Sequence, residues 1–101
     1  SLDQLTKDVL IGPALEELTF RAAPLAAWKT APKGITAIPF ALAHVGPNLM
    51  GQSPGFIAWR LAETGASGYF YEMTYRKNGF AAAWLAHAAH NAAVALVQAL
   101  K

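Results

Sequence analysis

The chain has 101 residues, of which 14% are charged and 54% belong to the nine hydrophobic types. A soluble domain carries about 25% charged residues. This composition excludes a disordered tail, a coiled coil and a typical nucleic-acid-binding domain. The absence of cysteine excludes disulfides, thiolate catalysis and cysteine-based metal sites. The length fits one domain over residues 1–101, and Ser1 in place of Met indicates a processed chain or a segment of a longer protein.

Charged and turn residues divide the chain into four apolar segments, each of which we predict to be a helix. In chain order the segments cover approximately residues 9–28, 35–45, 55–75 and 80–100. The last segment is dominated by alanine, the best helix former. None of the segments shows the period-two alternation that is typical of a strand. The sequence therefore predicts an all-α bundle of about four helices.

Two of the three turns between these segments are basic, and the third carries no charge. Basic residues lie in the loops 29–34 and 76–79, whereas the second segment ends at the uncharged turn signal Gly46-Pro47-Asn48. In an alternating four-helix path the two basic loops share one side, and the positive-inside rule makes that side cytoplasmic. We therefore predict an integral membrane protein and expect the bacterial cytoplasmic membrane as its location. The alternative is a soluble, alanine-rich bundle whose four short helices enclose an apolar interior.

A few polar side chains interrupt the apolar segments at helical spacing. Glu17 and Arg21 lie four residues apart in the favourable acid-before-base order, which predicts an ion pair. Glu16 is left without that partner and is the chemically available carboxylate. His44 lies four residues after Phe40 on the second segment. Taken singly, these residues are more typical of an ordinary ion pair and of a hydrogen-bonded core histidine.

The fourth segment carries a further polar group, His87 with Asn91 four residues later. At about 1.5 Å per residue, Glu16 lies about 20 Å, His44 about 17 Å, His87 about 15 Å and Asn91 about 21 Å along a helix from the nearest basic loop. Ionisable groups in the middle of a membrane are costly and indicate function. A carboxylate, two imidazoles and an amide around one point can hold a water or a divalent metal, which is the chemistry of hydrolysis. Interhelical hydrogen bonds are the purely structural alternative.

Together these residues resemble the CPBP intramembrane protease family, also called the Abi or CAAX-protease-like family. That family includes type II CAAX prenyl endopeptidases and bacteriocin-processing or immunity proteins. Its three motifs, EExxxR, FxxxH and HxxxN or HxxxD, stand in this order at residues 16–21, 40–44 and 87–91. The chain departs from the family pattern at Ala22, where a glycine is common, and carries an additional histidine, His90.

The resemblance implies an intramembrane endopeptidase that acts on a peptide or protein substrate, which in some members is lipidated at its C-terminus. The catalytic residues that it implies are Glu16, His44, His87 and Asn91. The supporting residues that it implies are Glu17, Arg21 and Phe40. A non-catalytic membrane interaction or immunity module of the same fold is the alternative.

The resemblance leaves the role of a metal open. Glu16, His44 and His87 could ligate a divalent metal, zinc foremost, and leave the open position that catalytic zinc sites keep. In the metal-free alternative, Glu16 is the general base for a water that the histidines hold.

Overall fold

The computed structural model describes residues 1–46 and 50–101. Within these ranges the chain forms four helices and no strand, which confirms the predicted all-α fold. The first helix, α1, is continuous over residues 2–27, and the next three are α2 (Ala37–Val45), α3 (Pro54–Asn78) and α4 (Phe80–Ala99). Residues 47–49 of the predicted turn lie outside the described residues. The four predicted segments therefore correspond to the four helices.

Two helix boundaries differ from the prediction. Helix α1 begins at residue 2 rather than near residue 9, because the Ser1 hydroxyl caps it by accepting the backbone N–H of Gln4 at 3.2 Å. The region 76–79, expected to be a turn, continues α3 as far as Asn78. Gly79 alone then joins α3 to α4, with φ of +90°, a conformation that favours glycine.

Helix α1 alternates between α-helical and π-helical turns. The α-helical stretches are Leu2–Thr6, Gly12–Glu17 and Ala23–Ala27, and the π-helical stretches are Lys7–Ile11 and Leu18–Ala22. Each π-helical stretch ends two residues before a proline, Pro13 or Pro24. A proline inside a helix lacks the N–H and crowds the carbonyl four residues earlier, and a wider turn relieves this crowding. The sequence analysis did not foresee these stretches.

Helix α2 packs along α3, α3 packs against α4, and α1 packs against α4. The closest approach is at Gly68 of α3, where a Cβ atom would lie 2.8 Å from the Phe40 ring and 3.3 Å from the Ala37 Cα. The missing side chain lets α2 lie directly on α3. This contact places Phe40, and with it His44 one turn later, over the middle of α3.

The two basic regions of the chain lie at one end of the bundle. The Arg76 guanidinium donates hydrogen bonds to the carbonyl oxygens of Ala31 and Pro32, both at 3.0 Å. The buried Glu72 carboxylate accepts the backbone N–H groups of Gly34 and Thr36 at 2.6 and 2.7 Å. The loop 28–36 is therefore fastened to the C-terminal turn of α3. This arrangement agrees with the alternating path that the charge pattern predicted.

The bundle buries several charged side chains and exposes many large apolar ones. Its largest fully buried side chains are Arg21, Glu17, Glu72 and Pro13. Large hydrophobic side chains such as Leu42, Trp59 and Leu85 are more than half exposed. Among the described helices, α4 is the one that is long and apolar enough to cross a membrane by length and composition. Buried charges together with many exposed large apolar side chains are atypical of a soluble globule.

Candidate active site

Three helices bring Glu16, His44 and His87 into direct contact. The Oε2 atom of Glu16 lies 2.9 Å from Nε2 of His44, and its Oε1 atom lies 3.1 Å from Nε2 of His87. One carboxylate on α1 therefore joins an imidazole from α2 to an imidazole from α4. The sequence analysis placed these three groups at a similar depth, and the structure places them together.

The outer nitrogens of both imidazoles also face oxygen acceptors. The Nδ1 atom of His44 lies 2.7 Å from the carbonyl oxygen of Phe40, and Nδ1 of His87 lies 2.8 Å from Oε2 of Glu17. A neutral imidazole carries a single N–H. To satisfy all four contacts, each ring must carry two N–H groups or a carboxyl group must carry the proton. The four contacts therefore require two protons more than two neutral imidazoles supply.

The Glu17–Arg21 ion pair that the helical spacing predicted is present and fully buried. The Nη1 atom of Arg21 lies 3.4 Å from Oε2 of Glu17, and Nη2 donates to the Gly68 carbonyl oxygen at 2.8 Å. The guanidinium also lies 4.3 Å from the centre of the Phe40 ring. Glu17 bonds His87 as well as Arg21, a contact that the helical spacing did not predict. The ion pair is thus part of the same hydrogen-bonded cluster as Glu16.

Asn91 lines the cavity, but its side chain donates a hydrogen bond to the backbone of α1 and not to the Glu16 carboxylate. Its Nδ2 atom donates to the backbone carbonyl oxygen of Asp8 at 2.8 Å. In this π-helical stretch the Gly12 N–H donates to the carbonyl oxygen of Lys7, five residues earlier. The same spacing would pair the Asp8 carbonyl oxygen with the nitrogen of Pro13. Proline has no N–H to give. Asn91 satisfies the carbonyl that the proline leaves without a helical partner.

Two residues outside the predicted set complete the cluster. The Tyr71 ring stacks on the His87 imidazole with 4.5 Å between centroids and 12° between planes. The Tyr71 hydroxyl lies 2.6 Å from Nδ1 of His90, so the additional histidine bonds a tyrosine rather than Glu16. Tyr71 escaped the sequence analysis because it has no fixed spacing from any of the three motifs. Its contacts arise from the packing of α3 against α4.

A cavity of about 510 Å³ opens over this cluster. Its lining includes Glu16, His44, His87, Tyr71, His90 and Asn91. Further along, Arg60 and Glu63 form an ion pair in its wall. Cavities of about 300–1,000 Å³ with a few convergent polar groups are typical of binding sites. The carboxylate and the two imidazoles therefore face a space that is large enough for part of a peptide.

The donor set has the chemistry of a zinc site, but its arrangement here is different. Across residues 1–46 and 50–101, no group of three His, Cys, Asp or Glu side chains is placed around a point that could hold a metal ion. The contacts of 2.9 and 3.1 Å are also shorter than the roughly 3.3 Å between two ligands of a tetrahedral zinc with bonds of about 2.0–2.1 Å. In this arrangement Glu16 and the histidines bond each other. The metal prediction stays a prediction.

The sequence matches the family described as Type II CAAX prenyl endopeptidase Rce1-like over residues 4–93. This range contains all three motifs and most of the four helices. Comparison with curated proteins and with solved structures gives no significant match. The family is membrane-embedded, and its members are proteases that act on protein or peptide substrates. The resemblance read from the motifs is thus confirmed, and the chain belongs to the type II CAAX prenyl endopeptidase Rce1-like family.

Proposed function

We propose that this chain is an intramembrane endopeptidase in which Glu16 activates the attacking water. The observation that carries the proposal is the bridge from one carboxylate to two imidazoles at the base of a cavity. A carboxylate in hydrogen-bond reach of such a water can take its proton as a general base. Membership in a family of proteases supports the assignment.

In the proposed reaction Glu16 carries one proton from the attacking water to the leaving amine. Glu16 takes a proton from water while the oxygen forms a bond to the carbonyl carbon of the peptide. The N–H groups of His44 and His87 stabilise the negative charge that develops on the carbonyl oxygen. The C–N bond then breaks, and the leaving amine receives the proton from Glu16. The products are a carboxylic acid and an amine, which become a carboxylate and an ammonium group when the acid's proton passes to the amine, so no other reactant is needed.

The supporting residues hold this geometry. Glu17 bonds the outer nitrogen of His87, and the Phe40 carbonyl bonds the outer nitrogen of His44. Such partners fix the orientation of each imidazole and therefore which ring nitrogen points at the reacting atoms. Asn91 is proposed as a further hydrogen-bonding group for the substrate, because it lines the same cavity.

For the substrate we propose a peptide that ends in a lipidated CAAX sequence, as the family description suggests. Large apolar side chains on the outside of the bundle, such as Leu42 and Leu85, would lie in lipid, where a prenyl chain also dissolves. We further propose that the end carrying the loop 28–36 faces the cytoplasm of a bacterial cell, following the positive-inside rule.

The test uses two quenched fluorescent peptides with the same C-terminal CAAX sequence, one farnesylated and one unmodified. Purified protein in liposomes should cleave the farnesylated peptide in H₂¹⁸O and place one ¹⁸O atom in the new carboxylate. His87→Ala should reduce the rate by about 10²-fold or more, the scale of a lost donor to the developing oxyanion. Ser67→Ala, in the wall of the same cavity, is the matched control and should keep the rate. Equal cleavage by wild type and His87→Ala would reject the proposal.

The alternative proposal is a resident divalent metal, zinc foremost, with Glu16, His44 and His87 as its ligands in place of Glu16 as a free general base. When bound, the metal would polarise the peptide carbonyl and acidify a bound water. The purified protein should then contain about one zinc per chain by elemental analysis, and chelation should remove activity that zinc restores. Full activity of metal-free protein would assign the chemistry to the side chains alone.

A further inference from the structure

Tyr71 lies at the centre of the polar cluster without belonging to any of the three motifs. It is 3% exposed, and its ring lies parallel to the His87 imidazole at 4.5 Å. The same ring meets Phe40 edge-on at 6.1 Å, and the Arg21 guanidinium lies 5.6 Å from its centre. Tyr71 therefore touches a member of each motif, from a helix that carries no motif of its own.

The far end of Tyr71 is anchored by a hydrogen bond. Its hydroxyl lies 2.6 Å from Nδ1 of His90, a side chain that lines the cavity. His90 and His87 are three residues apart on α4, so one helix supplies both the ring that Tyr71 stacks on and the atom that it bonds. Tyr71 is thus held against α4 by its face and by its hydroxyl group.

His87 needs a fixed ring plane to make both of its contacts. Its Nε2 atom bonds Glu16 at 3.1 Å while its Nδ1 atom bonds Glu17 at 2.8 Å. The outer torsion of a histidine side chain is broad, so rotation about it is easily excited unless packing stops it. A rotation of the imidazole would break at least one contact and would turn its edge into the Tyr71 face. The stacked ring at 4.5 Å blocks that rotation.

We propose that Tyr71 and His90 form a positioning pair that fixes the plane of the His87 imidazole between Glu16 and Glu17. The pair acts through His87 and does not touch the reacting atoms. This inference rests on the proposed function for its effect on turnover, whereas its effect on the ring of His87 holds whether or not the chain is a protease.

The kinetic test compares four variants with wild type on the farnesylated peptide. Tyr71→Leu, which removes the ring, should lower kcat by about 10–100-fold and leave KM within about twofold, because a misplaced catalytic group costs transition-state stabilisation rather than binding. Tyr71→Phe and His90→Ala each remove the hydroxyl–imidazole bond and should lower kcat by about 3–10-fold. Tyr69→Phe, on the half-exposed tyrosine two residues away, is the matched control and should match wild type.

The double variant Tyr71→Phe with His90→Ala tests whether the two residues act together or independently. Both changes break the same hydrogen bond, so the double variant should be no slower than either single variant. Multiplied losses would overturn the pairing. A wild-type kcat in Tyr71→Leu would overturn the positioning role, provided that wild type cleaves the peptide.

A spectroscopic test does not depend on activity. Histidine ring signals of the full chain in detergent micelles are assigned by single-histidine substitution and recorded by ¹H–¹³C NMR. The Tyr71 ring current should shift the His87 ring protons upfield, and Tyr71→Leu should remove this shift while Tyr69→Phe leaves it in place. If wild type cleaves neither peptide, the proposed function fails and this spectrum still decides the positioning role. Unchanged His87 signals in Tyr71→Leu would overturn it.

Discussion

At the scale of single residues, Glu16 and Glu17 differ in the nitrogen atoms that their carboxylates contact. Glu16 has no arginine partner and uses both carboxylate oxygens for imidazoles. Glu17 has the arginine but also bonds the second nitrogen of His87. Adjacent glutamates thus have different partners because successive helical residues point about 100° apart. Glu16 faces the cavity and Glu17 faces the interior of the bundle.

Substitutions of Glu17 and Arg21 test whether Glu17 serves both the stability of the fold and the orientation of His87. Either Glu17→Gln or Arg21→Met alone leaves a buried charge without its partner and should lower the stability of the folded protein by about 3–5 kcal/mol. The double variant should recover most of the folded yield, as measured by size-exclusion chromatography in detergent. Its kcat should stay low, because Nδ1 of His87 then faces no carboxylate. A double variant with wild-type turnover would show that Glu17 serves stability alone.

At the scale of helices, the spacing rules predicted the local pairs and missed the contacts between helices. Glu17–Arg21 and Phe40–His44 follow from the 3.6-residue period, and the structure contains a contact in each pair. The bond from Glu17 to His87 and the stack of Tyr71 depend on how α1, α3 and α4 are rotated about their axes. A single sequence does not define those rotations, since small residues leave several packings open.

The π-helical turns of α1 are another feature that the spacing of apolar and polar residues could not predict. Pro13 was visible in the sequence, but proline at that position is equally compatible with a helix that begins there. The structure continues the helix through it by widening the preceding turn. The displaced Asp8 carbonyl is then bonded by Asn91, a residue that the motif alone assigned to the substrate or water.

Gly68 tests the packing of α2 on α3. In Gly68→Ala the new methyl group would lie 2.8 Å from the Phe40 ring and 3.3 Å from the Ala37 backbone, so α2 must shift. We expect a loss of about 1–3 kcal/mol, the usual cost of overpacking, together with lower kcat because His44 moves with α2. Thermal unfolding followed by circular dichroism and a turnover assay measure the two effects.

Gly65→Ala is the matched control on the same helix. A Cβ atom at this position meets nothing within 4 Å, so the substitution should raise stability by about 0.5–1 kcal/mol through helix propensity. Equal behaviour of the two alanine variants would contradict the close approach of α2 and α3 at Gly68.

At the scale of the whole molecule, the bundle exposes large apolar side chains and buries three charged ones. Arg21, Glu17 and Glu72 are each 0% exposed, while Leu2 and Met50 are more than four-fifths exposed. The charge pattern of the loops separately predicts membrane topology, because basic residues in two loops and none in the loop between them are typical of it. The hydrogen bonds from Arg76 to the loop 28–36 bring the two basic regions together.

This topology can be tested by labelling, since the chain has no cysteine of its own. Single-cysteine variants Lys33→Cys and Lys77→Cys should react with a membrane-impermeant maleimide from the same side of the membrane. Ser53→Cys, just before α3, should react from the opposite side. Labelling of Lys33→Cys and Lys77→Cys from opposite sides would contradict the shared end of the bundle.

The central claim is that the Glu16 carboxylate is the base that makes this helical cluster a protease. The most direct measurement is single-turnover cleavage of the farnesylated peptide by Glu16→Gln, with Glu63→Gln as the control because Glu63 lines the same cavity and pairs with Arg60. We expect Glu16→Gln to fold with wild-type yield and lose about 10²–10⁴-fold in rate, and Glu63→Gln to stay within about threefold. Wild-type cleavage by Glu16→Gln would show that Glu16 is not the base.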